Sequence, residues 1–253
     1  MRIGGILMLC VLCFACSSGK APLTENQAKT SMVIYPEWFL NPGSFSEAIV
    51  CGYVNCSFYQ NSSASHAFQK ALSNAAKFYQ AEIVADDAFW ATEAGVFWVA
   101  TDFRETFDSS LISLYAAKFS PIDTFYSQKM VAVLAANSKS DELLYKTRQT
   151  VSNSLPSWIE SPPKDERFFY AVGAAPEYFY EASSWDNATL QARKQLARTK
   201  MVRIKALQKR TDFEGQEKRI ESVLVKLQAF QVVKRWPDTK NHIFYVLGRI
   251  PKQ

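Results

Sequence analysis

Phe168-Phe169-Tyr170-Ala171-Val172-Gly173 is the stretch that decides the fold, because a shorter version of it stands earlier in the chain. The earlier copy is Ala48-Ile49-Val50-Cys51-Gly52. Each run is short, apolar or aromatic, and closed by glycine, a pattern that favours a buried strand. The recurrence indicates that one structural unit occurs twice within the 253 residues.

A proline and a tryptophan precede each run at a similar distance. They stand in Tyr35-Pro36-Glu37-Trp38 in the first copy and in Leu155-Pro156-Ser157-Trp158 in the second. A further proline, Pro42 or Pro162, follows each tryptophan by four residues, and the tryptophan-to-glycine spacing is 14 and 15 residues. The duplication therefore begins before the strand.

An amphipathic helix is predicted after each glycine. Apolar residues recur at steps of three and four, which places them in one stripe along a helix. We expect Ser62 or Ser63 to cap the first helix and Asp186 to cap the second. The first stripe contains Ala64, Ala67, Phe68, Ala71, Leu72, Ala75 and Tyr79, and the second contains Ala188, Ala192, Leu196, Ala197, Met201, Ile204 and Leu207.

A second strand-like run closes each copy. It is Met130-Val131-Ala132-Val133-Leu134 in the first and Ile243-Phe244-Tyr245-Val246-Leu247 in the second. Pro237-Asp238-Thr239-Lys240-Asn241 predicts a turn before the last run, with residues 224–236 as the hairpin partner. Each copy is therefore expected to have the order β-α-β-β.

The predicted fold class is α+β, with two tandem small domains that each pack a helix on an antiparallel sheet. The middle elements of the first copy are expected at 95–103 and 112–119, and residues 111–117 fit either a helix or a strand. The predicted divisions are a signal peptide at 1–15, a tether at 16–33, a first domain at 34–136, a linker at 137–154 and a second domain at 155–253.

The N-terminus, MRIGGILMLCVLCFAC, has the features of a lipoprotein leader. Arg2 gives it a positive start, and residues 3–15 form an apolar stretch too short to remain as a membrane-spanning helix. Small Ala15 stands before Cys16, the expected site of cleavage and acylation, although Cys13 occupies a position where leucine is usual. The alternative is an ordinary signal peptide that is cut nearby.

The expected destination is the outer membrane, because Ser17 follows Cys16 where an aspartate would favour retention in the inner membrane. Several acyl chains on one cysteine hold a protein firmly, at about 0.8 kcal/mol per buried methylene. The small, polar residues 17–33 predict a flexible tether. The sequence leaves open whether the body faces the periplasm or the cell surface.

No catalytic, metal or cofactor site is expected. His66 and His242 have no partner in a recognisable catalytic arrangement, so they are interpreted as surface or capping residues. Cys51 and Cys56 allow a disulfide in an oxidising compartment, or two separate thiols. Neither histidine has zinc-ligand spacing to these cysteines. The chain is therefore predicted not to be an enzyme.

Two further features suggest surfaces for partners. The aromatic cluster Phe89, Trp90, Phe97, Trp98, Phe103 and Phe107 is either core or a partly exposed patch. Charge is uneven, since residues 17–137 carry 7 basic and 11 acidic side chains, net −4, and residues 138–253 carry 21 and 13, net +8. The predicted second helix holds the partner-binding candidates Arg193, Lys194, Arg198, Lys200, Arg203 and Lys205.

That basic helix has several possible partners. It could be a solvated face, bind an anionic lipid or cell-wall polymer, or meet the acidic first domain of another copy. Nucleic acid would match the charge, but it is not expected as the partner of an exported protein.

The motifs of the second copy resemble those of the Lpp-twenty lipoprotein family, small outer-membrane lipoproteins that include the flagellar FlgP group. They are Pro156-Ser157-Trp158, Tyr170-Ala171-Val172-Gly173, Gln191-Ala192-Arg193 and Tyr245-Val246-Leu247. The resemblance covers about residues 155–250, and the first half is similar to a diverged copy. It implies a compact α+β fold, no enzyme activity and an envelope role, in some members as part of an oligomeric ring around a flagellar motor.

The expected function is a structural or protein-interaction role of an outer-membrane lipoprotein, with a possible link to the flagellum. Its partners would be the lipid bilayer, through Cys16, and envelope proteins or further copies of itself. A module that binds an anionic envelope polymer or a small apolar ligand is the alternative, and a hydrolase assembled from distant residues is a weaker one.

Overall fold

The computed structural model describes residues 34–45, 49–92, 95–137, 147–208 and 220–252. Within these ranges, only the backbone is described at 85–92, 95–103, 201–208 and 220–224. The described residues belong to one compact unit, Met32–Gln253. The signal peptide and tether expected from the sequence lie outside them.

The first half of the described chain begins with a short strand and a single helical turn. The strand-helix-strand order expected around Gly52 is confirmed, and residues 111–117 are largely helical. The elements are β1 (Ile34–Pro36), α1 (Glu37–Leu40), a 3-10 turn (Pro42–Ser44), β2 (Ile49–Asn55), α2 (Gln60–Tyr79), β3 (Gln80–Thr92), β4 (Gly95–Thr106), α3 (Leu111–Ala116), β5 (Ser120–Tyr126) and β6 (Met130–Ala136).

The second half follows the same order with fewer elements. They are β7 (Arg148–Thr150), α4 (Ser157–Glu160), β8 (Phe168–Pro176), α5 (Glu181–Gln208), β9 (Ile220–Gln228), β10 (Gln231–Asp238) and β11 (Ile243–Pro251). All strand pairs in the described chain are antiparallel. The predicted α+β class is therefore confirmed.

Two three-stranded sheets repeat one arrangement. Their strand orders are β2-β6-β5 and β8-β11-β10, so the last strand of each half lies in the middle of its sheet. Gly52 lies opposite Val133 in the first sheet, and Gly173 lies opposite Val246 in the second. Both penultimate strands also contain a bulge, at Pro121/Asp123 and at Val232/Lys234.

The two glycines allow a helix to lie against each sheet. A Cβ atom on Gly52 would overlap the carbonyl O of Ala67 and the amide N of Ala71. A Cβ atom on Gly173 would overlap the same backbone atoms of Ala188 and Ala192 in α5. Only a residue without a side chain permits this close approach, and the alanine stripes of the helices provide its other surface.

The predicted helix caps are wrong. Helix α2 begins at Gln60 and α5 at Glu181, so Ser62, Ser63 and Asp186 lie inside the helices. Ser63 is buried and instead accepts a hydrogen bond from the backbone N–H of Ser57 at 3.1 Å. The sequence pattern marked the correct helices but placed their starts too late, because both first turns are rich in polar residues and lack an apolar periodicity.

The prediction for residues 224–236 is wrong in part. These residues form two strands rather than one, because the chain reverses at Ala229, which has φ of 51°. Strand β10 pairs with β11 as expected, but β9 pairs with β3 of the first half, in the sheet β4-β3-β9. This contact joins residues far apart in sequence, so no local pattern could indicate it.

The two halves also share one core. Tyr35 and Phe39 stack at 5.4 Å between ring centroids, and Phe39 meets Trp185 of α5 edge-on at 5.4 Å. Trp185 in turn contacts Phe244 of β11 at 4.7 Å, and Tyr53 of β2 packs on Phe39 at 5.6 Å. Because each large ring buries 150–250 Å², this cluster holds the repeated sheets together.

Short strand β1 pairs with β7, which falls within the expected linker. The remaining linker residues 138–146 lie outside the described ranges. Among the described helices, none combines the length and apolar character needed to cross a membrane.

Candidate interaction surface

A pair of exposed aromatic residues stands directly before each long helix. Phe58-Tyr59 precedes α2, and Phe179-Tyr180 precedes α5. The two phenylalanines are 93% and 92% exposed, far more than any packing role would allow. In each pair the rings contact edge-on, with centroids 5.3 Å and 4.9 Å apart. Two large apolar groups thus stand in water at equivalent positions of the two halves.

The same hydrogen bond shapes both aromatic loops. The backbone N–H of Ser57 donates to Ser63 Oγ at 3.1 Å, and the backbone N–H of Tyr178 donates to Ser184 Oγ at 2.8 Å. Both serines are buried in the first turns of their helices, with exposures of 2% and 0%. These hydrogen bonds fix the backbone just before each aromatic pair, so the rings stay on the outside of the protein.

A chain of polar contacts places both loops at one end of the molecule. The backbone N–H of Cys56 donates to the carbonyl O of Lys129 at 3.2 Å. Lys129 Nζ then lies 3.1 Å from Glu177 Oε1, next to the second loop. His242 Nδ1 lies 2.7 Å from Glu177 Oε2. The hydrogen bond with His242, together with Lys129, holds the pKa of Glu177 below its ordinary value.

The described chain also begins at this end. Ile34 is its first residue and is half exposed. The hydroxyl of neighbouring Tyr35 donates to Glu181 Oε1 at 2.7 Å, and Trp185 Nε1 donates to the same oxygen at 3.2 Å. Because Glu181 directly follows Tyr180, the expected tether joins the body beside the second aromatic pair. We call the region formed by Phe58, Tyr59, Phe179, Tyr180 and Lys129 the aromatic end.

The structure places Arg193 inside the protein and not on the predicted basic surface. Its side chain is 5% exposed, and its Nε and Nη2 bind the two carboxylate oxygens of Glu105 at 2.5 Å and 3.0 Å. Lys77 lies 3.5 Å from Glu105 as well. Burial alone would raise the pKa of Glu105, but Arg193 and Lys77 outweigh it and hold that pKa below its ordinary value.

The other basic candidates lie further along α5. Lys194, Arg198 and Lys200 are half-buried, and Lys200 Nζ reaches the carbonyl O of Lys226 at 3.5 Å. Arg203 and Lys205 belong to the part of the helix whose side chains are outside the description. The role of these residues as a partner surface stays a prediction.

Several other residues singled out in the sequence lie apart from one another. His66 is exposed on α2, and His242 contacts Glu177 at the aromatic end. Cys51 and Cys56 are both free thiols, the first buried and the second half-buried. The described side chains contain no cluster of three or more potential metal ligands. Cys16 lies outside the described residues, as do the side chains of the aromatic cluster, except for half-buried Phe107.

No protein-family model matches the chain, and no curated protein or solved structure is significantly similar to it.

The sequence analysis missed the aromatic end. Its signal was present, because Phe-Tyr occurs before both predicted helices at the same distance from the strand glycines. The offset from Gly52 to Phe58 is the same six residues as that from Gly173 to Phe179. Apolar residues next to a predicted helix are normally assigned to the core. Only their exposure in the structure shows that Phe58 and Phe179 are surface residues.

Proposed function

We propose that the chain is a lipoprotein of the bacterial outer membrane, anchored through acylated Cys16, whose body has a structural or protein-interaction role and no catalytic one. The leader before Cys16 supports the anchor, and the resemblance to the Lpp-twenty family supports the envelope role. The proposal extends to orientation: the aromatic end lies against the bilayer and turns the rest of the body towards its partners.

The aromatic end is the observation that carries this proposal. Residues 16–33 connect the expected lipid to Ile34, a distance of up to about 60 Å in an extended chain. Such a tether alone would not orient the body. Tyrosine is suited to the membrane interface, because its ring is apolar and its hydroxyl meets water, and phenylalanine adds apolar surface beside it. Fully burying one phenylalanine side chain contributes about 1.5–3 kcal/mol, so two pairs provide a substantial second contact.

Charge does not oppose this orientation. Lys129 at the aromatic end is paired with Glu177 at 3.1 Å, so the contact with the bilayer would depend on the rings. The aromatic pairs are also on loops whose bases are fixed, so little conformational entropy is lost when the rings insert.

A vesicle-binding experiment tests the orientation separately from the anchor. The full chain carrying Cys16→Ser is mixed with vesicles of phosphatidylethanolamine and phosphatidylglycerol and sedimented. We expect measurable binding that falls at least tenfold in a Phe58→Ser, Phe179→Ser double variant. Leu114→Ser is the matched control, because Leu114 is 47% exposed on α3, away from the aromatic end.

Equal binding by the double variant and the control would rule out the aromatic end as a bilayer contact. The anchor is tested in cells by fractionating the wild-type chain and Cys16→Ser. We expect the wild-type chain in the membrane fraction and Cys16→Ser mainly in the soluble fraction, since two phenylalanine pairs hold far less firmly than several acyl chains. Unchanged fractionation would contradict the lipoprotein proposal itself.

A further inference from the structure

We propose that residues of both halves form a binding site for a free amphiphile with an apolar chain and a carboxylate head, and that Arg235 is the residue that recognises the head. The site is a cavity of about 440 Å³ between the C-terminal turn of α2, helix α3 and strand β10. This volume is within the usual range of small-ligand sites, about 300–1,000 Å³.

One wall of the cavity is aromatic. Phe78 and Phe230 meet edge-on at 4.9 Å, and Tyr115 packs against Phe119 at 5.6 Å. All four line the cavity, together with Tyr79, which is 59% exposed. This wall suits a hydrocarbon chain, and the polar residues of the lining, Gln231, Arg235 and Arg249, suit a charged head.

Arg235 brings a positive charge to this apolar site. It is 4% exposed, its Nη1 donates to the carbonyl O of Phe39 at 2.8 Å, and its buried Nε has no hydrogen-bond partner. No carboxylate of the described residues lies within ion-pair distance of it, and none of the residues lining the cavity is acidic. A buried charge left in this state is costly unless it is paired.

The groups around Arg235 do not neutralise it. Its guanidinium lies 4.6 Å from the Phe39 ring centroid and 5.6 Å from that of Tyr53, contacts that offset part of the cost of burial. Burial raises the pKa of the Cys51 thiol although Arg235 acts against this, so Cys51 supplies no thiolate at neutral pH. Asp186, whose charge reaches Cys51, is paired with Lys70 at 2.8 Å.

The fold itself does not require an arginine here. In a regular strand, residues three apart point to opposite faces of the sheet. The bulge in β10 inserts Val233 as an extra residue, so Val232 and Arg235 lie on the same face, towards the shared core. The first sheet has the same bulge, and the residue equivalent to Arg235, opposite Val133, is Thr124. The same position in the sheet is threonine in the first half and arginine in the second. Because the sheet forms without a charge there, we infer that Arg235 serves a ligand rather than the fold.

The position of the cavity favours a free amphiphile over a lipid of the bilayer. Phe58 precedes the N-terminus of α2, and the cavity lies at its C-terminal turn. A helix of 20 residues is about 30 Å long. A bilayer in contact with the aromatic end would therefore be a helix length away from the cavity. This step alone rests on the proposed function, whereas the pairing of Arg235 with a carboxylate does not.

Calorimetric titration of the full chain carrying Cys16→Ser tests the site without detergent. The probes are decanoate, decanol of equal chain length, and lysophosphatidylglycerol as the lipid source of an anionic head. We expect decanoate to bind at least tenfold more tightly than decanol and lysophosphatidylglycerol to bind no better than decanol. Arg235→Met should abolish the preference for decanoate and leave decanol binding unchanged. Arg167→Met is the control and should have no effect, because the Arg167 side chain is 80% exposed.

A second measurement covers the case in which Arg235→Met fails to fold. Bound decanoate should raise the midpoint of thermal unfolding of the chain with Arg235 intact more than decanol does at the same concentration, because only the carboxylate pairs with the buried charge. Equal affinity for decanoate and decanol, an unchanged preference in folded Arg235→Met, or equal stabilisation of the chain by the two probes would each overturn the proposal. Tighter binding of lysophosphatidylglycerol would overturn the free carboxylate as the ligand. None of these outcomes depends on whether Cys16 is acylated.

Discussion

At the scale of single residues, two buried arginines show opposite solutions to one physical problem. Arg193 meets both oxygens of Glu105 and is therefore compensated inside the fold. Arg235 has a carbonyl oxygen and two aromatic rings but no carboxylate within the described chain. Sequence composition counts both as positive charge, yet only the structure separates an arginine that is paired with a carboxylate from one that is not.

Replacing Glu105 should measure how much the ion pair between Arg193 and Glu105 stabilises the fold. Glu105→Gln leaves Arg193 buried without its counter-charge, so we expect the free energy of unfolding at pH 7 to fall by about 3 kcal/mol. Glu82→Gln is the control, because Glu82 and Lys226 form a more exposed pair at 3.2 Å, worth less than about 1 kcal/mol. Urea unfolding measures both variants.

The same pair predicts a dependence on pH. Because the pKa of Glu105 is lowered in the folded state, its contribution is fully present above the unfolded value of about 4.3 and is lost as the pH falls through the folded pKa. The difference between the wild type and Glu105→Gln should therefore shrink in acid. A difference that stays constant from pH 7 to about pH 3 would show that the carboxylate charge is not what stabilises the pair.

At the scale of elements, each half is built from a strand that ends a short distance after a glycine and from a helix that lies on it. The periodic alanines made the helices predictable, and the apolar runs made the central strands predictable. The helix starts were not predictable, because the first turns lack an apolar periodicity. The pairing of β9 with β3 joins residues distant in sequence, and an apolar pair alone does not distinguish the exposed Phe58 and Phe179 from core residues.

The glycine contacts give a direct test of this construction. Gly173→Ala would bring a methyl group against the backbone of Ala188 and Ala192, which cannot rotate away as a side chain can. Replacing glycine usually stabilises through the unfolded chain by about 0.4–1 kcal/mol. We expect the clash to exceed this gain and to lower the free energy of unfolding by about 2 kcal/mol.

Gly52→Ala should behave in the same way if the two halves are equivalent. Ala174→Ser is the matched control, since Ala174 is the exposed neighbour of Gly173 on β8, and its effect should be within about 0.5 kcal/mol. An increase in stability in either glycine variant would contradict the close helix-sheet contact.

At the scale of the whole molecule, the duplication gives two sheets, one shared core and one aromatic end. The halves differ in charge, with net −4 over residues 17–137 and +8 over 138–253. Among the described side chains burial leaves this difference unchanged, because Arg193 and Arg235 are buried together with Glu181 and Asp238. The asymmetry is the reason to expect that the basic half of one copy meets the acidic half of another.

Light scattering over a range of ionic strengths tests this self-association. We expect the Cys16→Ser chain to form multimers in dilute salt and to dissociate at about 1 M salt, where the screening length falls to about 3 Å. A monomer at every salt concentration would count against assembly through charge and would leave the anchor and the cavity proposals unaffected.

Covalent attachment of this body to a membrane is tested most directly by mass spectrometry of the N-terminal peptide of the protein isolated from bacterial membranes. We expect the mature chain to begin at Cys16 and this residue to carry the added mass of its acyl chains. A mature chain that begins elsewhere, or that contains Cys16 without lipid, would contradict it.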